Sequence, residues 1–356
     1  VTTRVARGLA SLGLITAIGL GFACPAAADG ESVDYRLGLL RDEVDVLKAE
    51  VEAEPTLNGY YDFEYLVDNE PGTPSTFRQH HLTIFVGAHR GPWRLLSEVE
   101  FEDGTEIEGD GTSVNGKGAV KAENAWLERV VSDVLTVRTG KFLLPQYWNV
   151  NHYPNIVLST NRPLMVRDVF PIDTTGVMAF GNRYRGRLGA TWNAYVGNGD
   201  TTGATDDNNN KAAGGRLTLH LAELWAPLVR MDVGGAVHSE RAGSGATRDA
   251  MDVWGVDAQF NSRIVEVLFE YARRNADQPH EGLYVQPSVK VADTVRLFYR
   301  YDWLDMGVLN QTRHTGGVNV QPRPDLAVKV EVNTNRFEGS ARDDYEQVAA
   351  SLALFF

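Results

Sequence analysis

Residues 295–303 read VRLFYRYDW, and this run decides the fold. Successive side chains of an extended chain point to opposite sides. Val295, Leu297, Tyr299, Tyr301 and Trp303 therefore share one face, and Arg296, Phe298, Arg300 and Asp302 share the other. The second face is too charged to be buried in a dry core or turned to lipid, and the first is too apolar and aromatic for water. A strand that separates lipid from a wet interior satisfies both requirements.

The same period of two extends along most of the chain. Leu188, Ala190, Trp192, Ala194 and Val196 oppose Gly189, Thr191, Asn193 and Tyr195, and Leu57, Gly59, Tyr61, Phe63 and Tyr65 oppose Asn58, Tyr60, Asp62 and Glu64. We count about sixteen such runs from Leu57 to Phe356, each near the ten residues that a tilted membrane strand needs. Short turns at Arg90-Gly91, Ser132-Asp133, Asn261-Ser262-Arg263, Ala292-Asp293 and Arg323-Pro324 alternate with long polar connections such as 103–118, 198–211 and 239–249. This asymmetry belongs to outer-membrane barrels and has no reason to arise in a soluble sandwich. The expected fold class is all-β, a transmembrane antiparallel β-barrel of about sixteen strands, preceded by a short N-terminal coiled-coil helix.

With 356 residues and a hydrophobic content of 43%, the chain is long enough for one large barrel, and alternation averages away any summed hydropathy. Residues 1–28 carry Arg4 and Arg7, an apolar run from Leu9 to Ala23 and an Ala-rich end before Asp29, the pattern of a cleaved signal peptide. The only cysteine, Cys24, lies within it, so a disulfide or a thiolate metal site is not expected. Residues 29–55 place Val33, Leu37, Leu40, Val44, Leu47 and Val51 at alternating spacings of four and three, which predicts a periplasmic coiled-coil helix ended by Pro55. Residues 56–356 form the barrel. A formal net charge of −13 argues against nucleic acid as a partner.

One long stretch departs from the alternation. Residues 140–176, GKFLLPQYWNVNHYPNIVLSTNRPLMVRDVFPIDTTG, carry Pro145, Pro154, Pro163 and Pro171, so neither a long helix nor a central strand persists through them. Their apolar and aromatic content argues against disorder. We expect a packed third loop over 143–174, folded into the barrel.

Within that stretch, Gly140 to Pro145, Asn161 to Leu164 and Phe170-Pro171 resemble the porin superfamily that includes phosphate-selective porins O and P and the DcaP-like porins. The resemblance implies a homotrimer of sixteen-stranded barrels in outer-membrane lipid of the bacterial cell, each narrowed by its third loop. The acidity of this chain and the absence of a lysine-rich loop depart from the phosphate-selective pattern. The last strand places Val348, Ala350, Leu352, Leu354 and Phe356 on one face, similar to the signal by which the barrel assembly machinery recognises its clients.

A channel works by its radius and its ring of charge. The cations expected at the constriction are Lys141, Arg162 and Arg167 on or beside the loop and Arg138, Arg296 and Arg300 on inward strand faces. The facing carboxylates are Asp168, Asp173, Glu98 and Glu100. Charged, preferably anionic, small hydrophilic solutes are expected, with no cofactor and no metal; the acidic outer loops lack EF-hand spacing. Two other readings stay open: a non-conducting tether or adhesin, and a barrel hydrolase in which Ser or Thr is activated by one of eight histidines.

Overall fold

A computed structural model describes residues 55–104, 118–166, 168–199, 206, 208–222, 230–242, 249–339 and 342–356. The strands are β1 (Thr56–Asp68), β2 (Thr76–Arg90), β3 (Trp93–Glu102), β4 (Ala119–Ser132), β5 (Leu135–Leu143), β6 (Asp173–Arg185), β7 (Leu188–Gly197) and β8 (Ala212–Ala222). They continue as β9 (Arg230–Ala242), β10 (Asp249–Asn261), β11 (Val265–Asn275), β12 (His280–Ala292), β13 (Val295–Asp305), β14 (Asn310–Arg323), β15 (Leu326–Glu338) and β16 (Tyr345–Phe355). Each pairs antiparallel with its sequence neighbours, and β1 pairs with β16 to close the barrel.

Alternation explains which side each residue faces. On β13, Phe298, Arg300, Asp302 and Leu304 are buried, while Leu297 and Tyr299 are exposed. Leu95, Leu127, Leu217, Leu219, Val237, Val256, Val330 and Leu352 continue an exposed apolar surface across the other strands. Soluble monomers do not carry apolar patches of this extent, and a closed barrel leaves no backbone edge unpaired in hydrocarbon. The fold is that of a bacterial outer-membrane β-barrel.

The fold class needs one correction. The helix expected over 29–55 is not part of the described fold: the described residues begin at Pro55, and among them no helix precedes β1. Heptad spacing over about three repeats is marginal for a helix by itself, so the spacing alone did not warrant the element. The signal-peptide reading of 1–28 also lies outside the described residues.

The β1–β16 seam ends in one tight contact. Gly59 N–H donates to the Phe356 carbonyl at 2.9 Å, and Phe356 N–H returns the bond to the Gly59 carbonyl at 3.0 Å. The Phe356 ring lies over the glycine: a Cβ there would sit 2.6 Å from its Cζ and 2.4 Å from the Thr83 carbonyl. Gly59→Val is therefore expected to cost about 1–3 kcal/mol through overpacking and to lower the folded fraction after refolding into detergent, read by heat-dependent gel mobility. Gly316→Val, where nothing lies within 4 Å of a Cβ, should leave that fraction unchanged.

Candidate functional site

The third loop runs from the end of β5 to the start of β6 and turns into the lumen. At its root Gly140 has φ 121°, a left-handed conformation, and a Cβ would strike the Ala125 carbonyl at 2.3 Å. Glycine thus lets β5 hug β4 where the loop departs. One short helix, α1 (Tyr147–Asn151), interrupts the loop.

The loop has an apolar side and a polar side. Phe142, Leu144, Trp148, Met165, Val166, Val169 and Phe170 pack against Met178, Tyr195, Ala236, Met251, Val253, Ala272, Tyr284 and Leu304 of the wall. Trp148 meets Tyr284 edge to face at 6.2 Å, a favoured aromatic geometry. On the polar side the wall satisfies loop backbone that has no ladder of its own. Arg300 donates to the Asn161 carbonyl at 3.0 Å, to the Arg162 carbonyl at 3.3 Å and to the Ser159 hydroxyl; Arg313 also donates to the Arg162 carbonyl. Glu331 accepts the N–H groups of Thr160 at 2.8 Å and Asn161 at 3.0 Å, and Asp302 accepts that of Leu164 at 3.2 Å. Lys329 donates to the Ser159 carbonyl, Asn319 to the Leu158 carbonyl and Gln321 to the Asn155 carbonyl.

Two polar cavities flank the loop. The cavity toward the long connections has a volume of about 400 Å³ and is lined by Glu100, Glu102, Lys121, Glu123, Arg162 and Asp173 among others. The one toward the short turns has about 540 Å³ and includes Arg216, Arg230, Arg296, Asp232, Asp257 and Glu266. Trp148 lines both.

The expected site residues divide accordingly. Glu100 and Asp173 line the upper cavity with Arg162, whose carbonyl the wall arginines hold. Lys141 lies beside that cavity, 3.3 Å from Asp173. Glu98 is buried, accepting from Asn124 at 2.6 Å and from the Tyr153 hydroxyl of the loop at 3.2 Å. Arg138 pairs with Glu128 at 2.9 Å and stacks on Trp126. Arg296 lines the lower cavity, bonded to Glu266 and Ser288. Arg300 is fully buried beneath the loop. The Asp168 carbonyl accepts from His280. Arg167 lies outside the described residues.

Sequence reading did not single out Arg313, Lys329, Glu331, Lys121 or Glu123. Arg313 and Glu331 were within reach of the same parity argument that found Arg300, since Arg313↔Asn335 and Gly317↔Glu331 put them on the inward register. In the loop, His152 is packed so deeply that burial pushes its imidazole below its ordinary range, so it is neutral at pH 7 and adds no charge to the cavity it lines.

The lower cavity also holds a hydrogen-bonded chain: Thr191 Oγ1 lies 2.8 Å from His220 Nε2, and His220 Nδ1 lies 2.8 Å from Asp232 Oδ1. These atoms match a nucleophile–base–acid order, but Thr191 sits within β7, held in the sheet between β6 and β8. The chain is a strut across three strands.

No family model matches the chain, and no curated protein does. Solved structures match its fold. The anion-selective porin from Comamonas acidovorans is 13% identical, with 85% of this chain and 99% of that one covered and a TM-score of 0.62. In-vitro folded OmpT, an outer membrane protein of Vibrio cholerae in its trimer form, is 13% identical over 85% and 99%, with a TM-score of 0.55. The outer membrane channel DcaP of Acinetobacter baumannii is 11% identical over 86% and 98%, with a TM-score of 0.51. This barrel thus has the architecture of outer-membrane porins as a group, and the likeness singles out no subfamily.

Arg300→Ala would leave Asp302 buried with one of its two arginines and would take one donor from each of three loop acceptors, Ser159 Oγ and the carbonyls of Asn161 and Arg162. Breaking a buried pair costs about 3–5 kcal/mol, so the folded variant should lose protection of loop amides in hydrogen exchange while the strands keep theirs.

Proposed function

We propose that this protein is a porin: a water-filled channel through which small hydrophilic solutes cross the outer membrane by diffusion. The observation that carries the reading is the third loop, fastened to one wall by Arg300, Arg313 and Glu331, with polar cavities on both of its sides and Trp148 between them. A tether has no use for a lumen built in this way.

The charge preference follows from what lines the upper cavity. Glu100, Glu102, Glu123 and Asp173 face Lys121 and Arg162 there, four carboxylates against two cations. The lower cavity has three arginines, Arg216, Arg230 and Arg296, against Asp232, Asp257 and Glu266. Focused by low-dielectric walls, the excess at the mouth favours cations. This replaces the anionic preference expected from Lys141, Arg162 and Arg167. By analogy with the trimer form of Vibrio cholerae OmpT, we also read the assembly as a homotrimer, with the outward face of β16 ending in Phe356 as the element offered to the assembly machinery.

Planar-bilayer recordings under a KCl gradient test the channel. Conductance in steps of three with a cation-preferring reversal potential is expected, and Glu100→Gln with Glu123→Gln should move that potential toward anions. A folded protein that shows no conductance would leave the tether reading in its place. Trp148→Ala should raise single-channel conductance, at a stability cost of about 3–5 kcal/mol for the lost packing.

A further inference from the structure

The register of β1 against β2 slips between Asp62 and Phe63: Asp62 faces His81, but Phe63 faces Gln79. His80 is the extra residue, and a bulge of this kind re-aims side chains. In a regular strand His80 and His81 would point to opposite faces. Here both turn into the lumen, their rings 3.6 Å apart at 35°.

Both rings meet the same carboxylate. His80 Nδ1 lies 3.3 Å from Asp62 Oδ2, and His81 Nδ1 lies 3.6 Å from that oxygen. A tetrahedral ion with bonds of about 2.0–2.1 Å separates its ligand atoms by about 3.3 Å, so these atoms stand nearly at the edges of such a polyhedron. His81 and Asp62 are more than nine-tenths buried, yet neither ring nitrogen of His81 has a hydrogen-bond partner, nor has Asp62 Oδ1. Buried polar atoms in such numbers need an explanation.

We propose that Asp62, His80 and His81 bind one divalent cation of the Zn²⁺ class through Asp62 and the two Nδ1 atoms. Imidazole with carboxylate suits zinc, cobalt and nickel better than the all-oxygen preference of calcium or magnesium. The outer partners of such a site are also present. His81 Nε2 faces Glu102 at 3.7 Å and Glu100 at 3.8 Å. A metal-bound histidine donates its other N–H to a carboxylate of this kind, which fixes the tautomer. Glu64 Oε1 lies 2.7 Å from His80 Nδ1, a direct pair that an ion would displace.

The surroundings allow an ion to enter and be held. Asp62, His80 and His81 line a cavity of about 30 Å³, which has room for one ion and little water. His80 also lines a wider cavity of about 350 Å³ that gives access to it. Of the neighbouring cations, Lys329 donates to the Ser159 carbonyl, Lys121 pairs with the outer carboxylate Glu102 at 2.5 Å, and Arg78 binds Asp103 with Glu64 at 3.6 Å. Of the carboxylates around the site, Asp62 pairs with histidine alone.

Titration calorimetry of the detergent-folded barrel with ZnCl₂ tests this without reference to transport. One ion per chain is expected, with affinity falling at least tenfold in His81→Gln and lost in the double variant H80Q/H81Q. Glu102→Gln should cost roughly 10–100-fold, as for other partners behind a ligand, whereas Asp206→Asn on an outer loop should change nothing. Co²⁺ bound to the unmodified protein should give the visible spectrum of nitrogen and oxygen ligation at low coordination number, which keeps the test informative if a variant misfolds. Absence of binding, binding that survives H80Q/H81Q, or a Co²⁺ spectrum of the hydrated octahedral ion would overturn the proposal and leave the cluster as histidines and carboxylates sharing protons.

Discussion

The barrel interior depends on Asp302, which has no solvent exposure and holds two arginines at once, Arg300 at 2.9 Å and Arg313 at 3.3 Å. A lone buried carboxylate or guanidinium would be strongly destabilising. Bound together, the three groups become a rigid donor platform, and what they support is the third loop. An irregular segment inside a barrel must find partners for every backbone group it buries. The carbonyls of Asn161 and Arg162 find theirs on this platform, while Glu331 takes the N–H groups of Thr160 and Asn161.

Fastening the loop to one wall determines which part of the lumen stays open. The apolar side of the loop fills the space against the strands from β6 to β13, and its polar side is bonded to β13, β14 and β15. The upper opening is consequently bordered by β3 and β4, which contribute Glu100, Glu102, Lys121 and Glu123. Trp148, anchored edge to face on Tyr284, divides the upper space from the lower.

Much of this was legible in the sequence, for definite reasons. Alternation such as that of Val295 to Trp303 depends only on strand geometry, so strand number, facing and loop asymmetry could be read directly. The prolines of 140–176 announced an irregular loop, and its apolar content announced that the loop would be packed. The heptad spacing before Pro55 falls outside the described residues, and among those no helix precedes β1. Parity gave the inward residues but not their tasks: Arg296 and Arg300 are four residues apart on one face, yet one lines a cavity and the other is sealed beneath the loop. The difference comes from strands distant in sequence and from where the loop comes to rest. His80 was hidden for another reason, since a one-residue bulge puts it on the same side as His81 against the parity on which the whole reading relied.

The split between fastening and lining charges also bears on selectivity. A guanidinium whose donors are taken by loop carbonyls and by Asp302 has little left to offer a passing solute, so Arg300 acts on permeation through the position of the loop. A carboxylate on the rim of the open cavity remains in contact with water and can replace part of a solute's hydration shell. The net charge of −13 cannot predict preference, because buried pairs cancel locally and outer-loop charges are screened within about 8 Å at physiological salt. On the channel reading, holding and selecting are assigned to different parts of the wall, β13 to β15 for the first and β3 to β4 for the second. The rim of this barrel could then change its preference by substitution at Glu102, Lys121 or Glu123 while the platform under the loop stays intact.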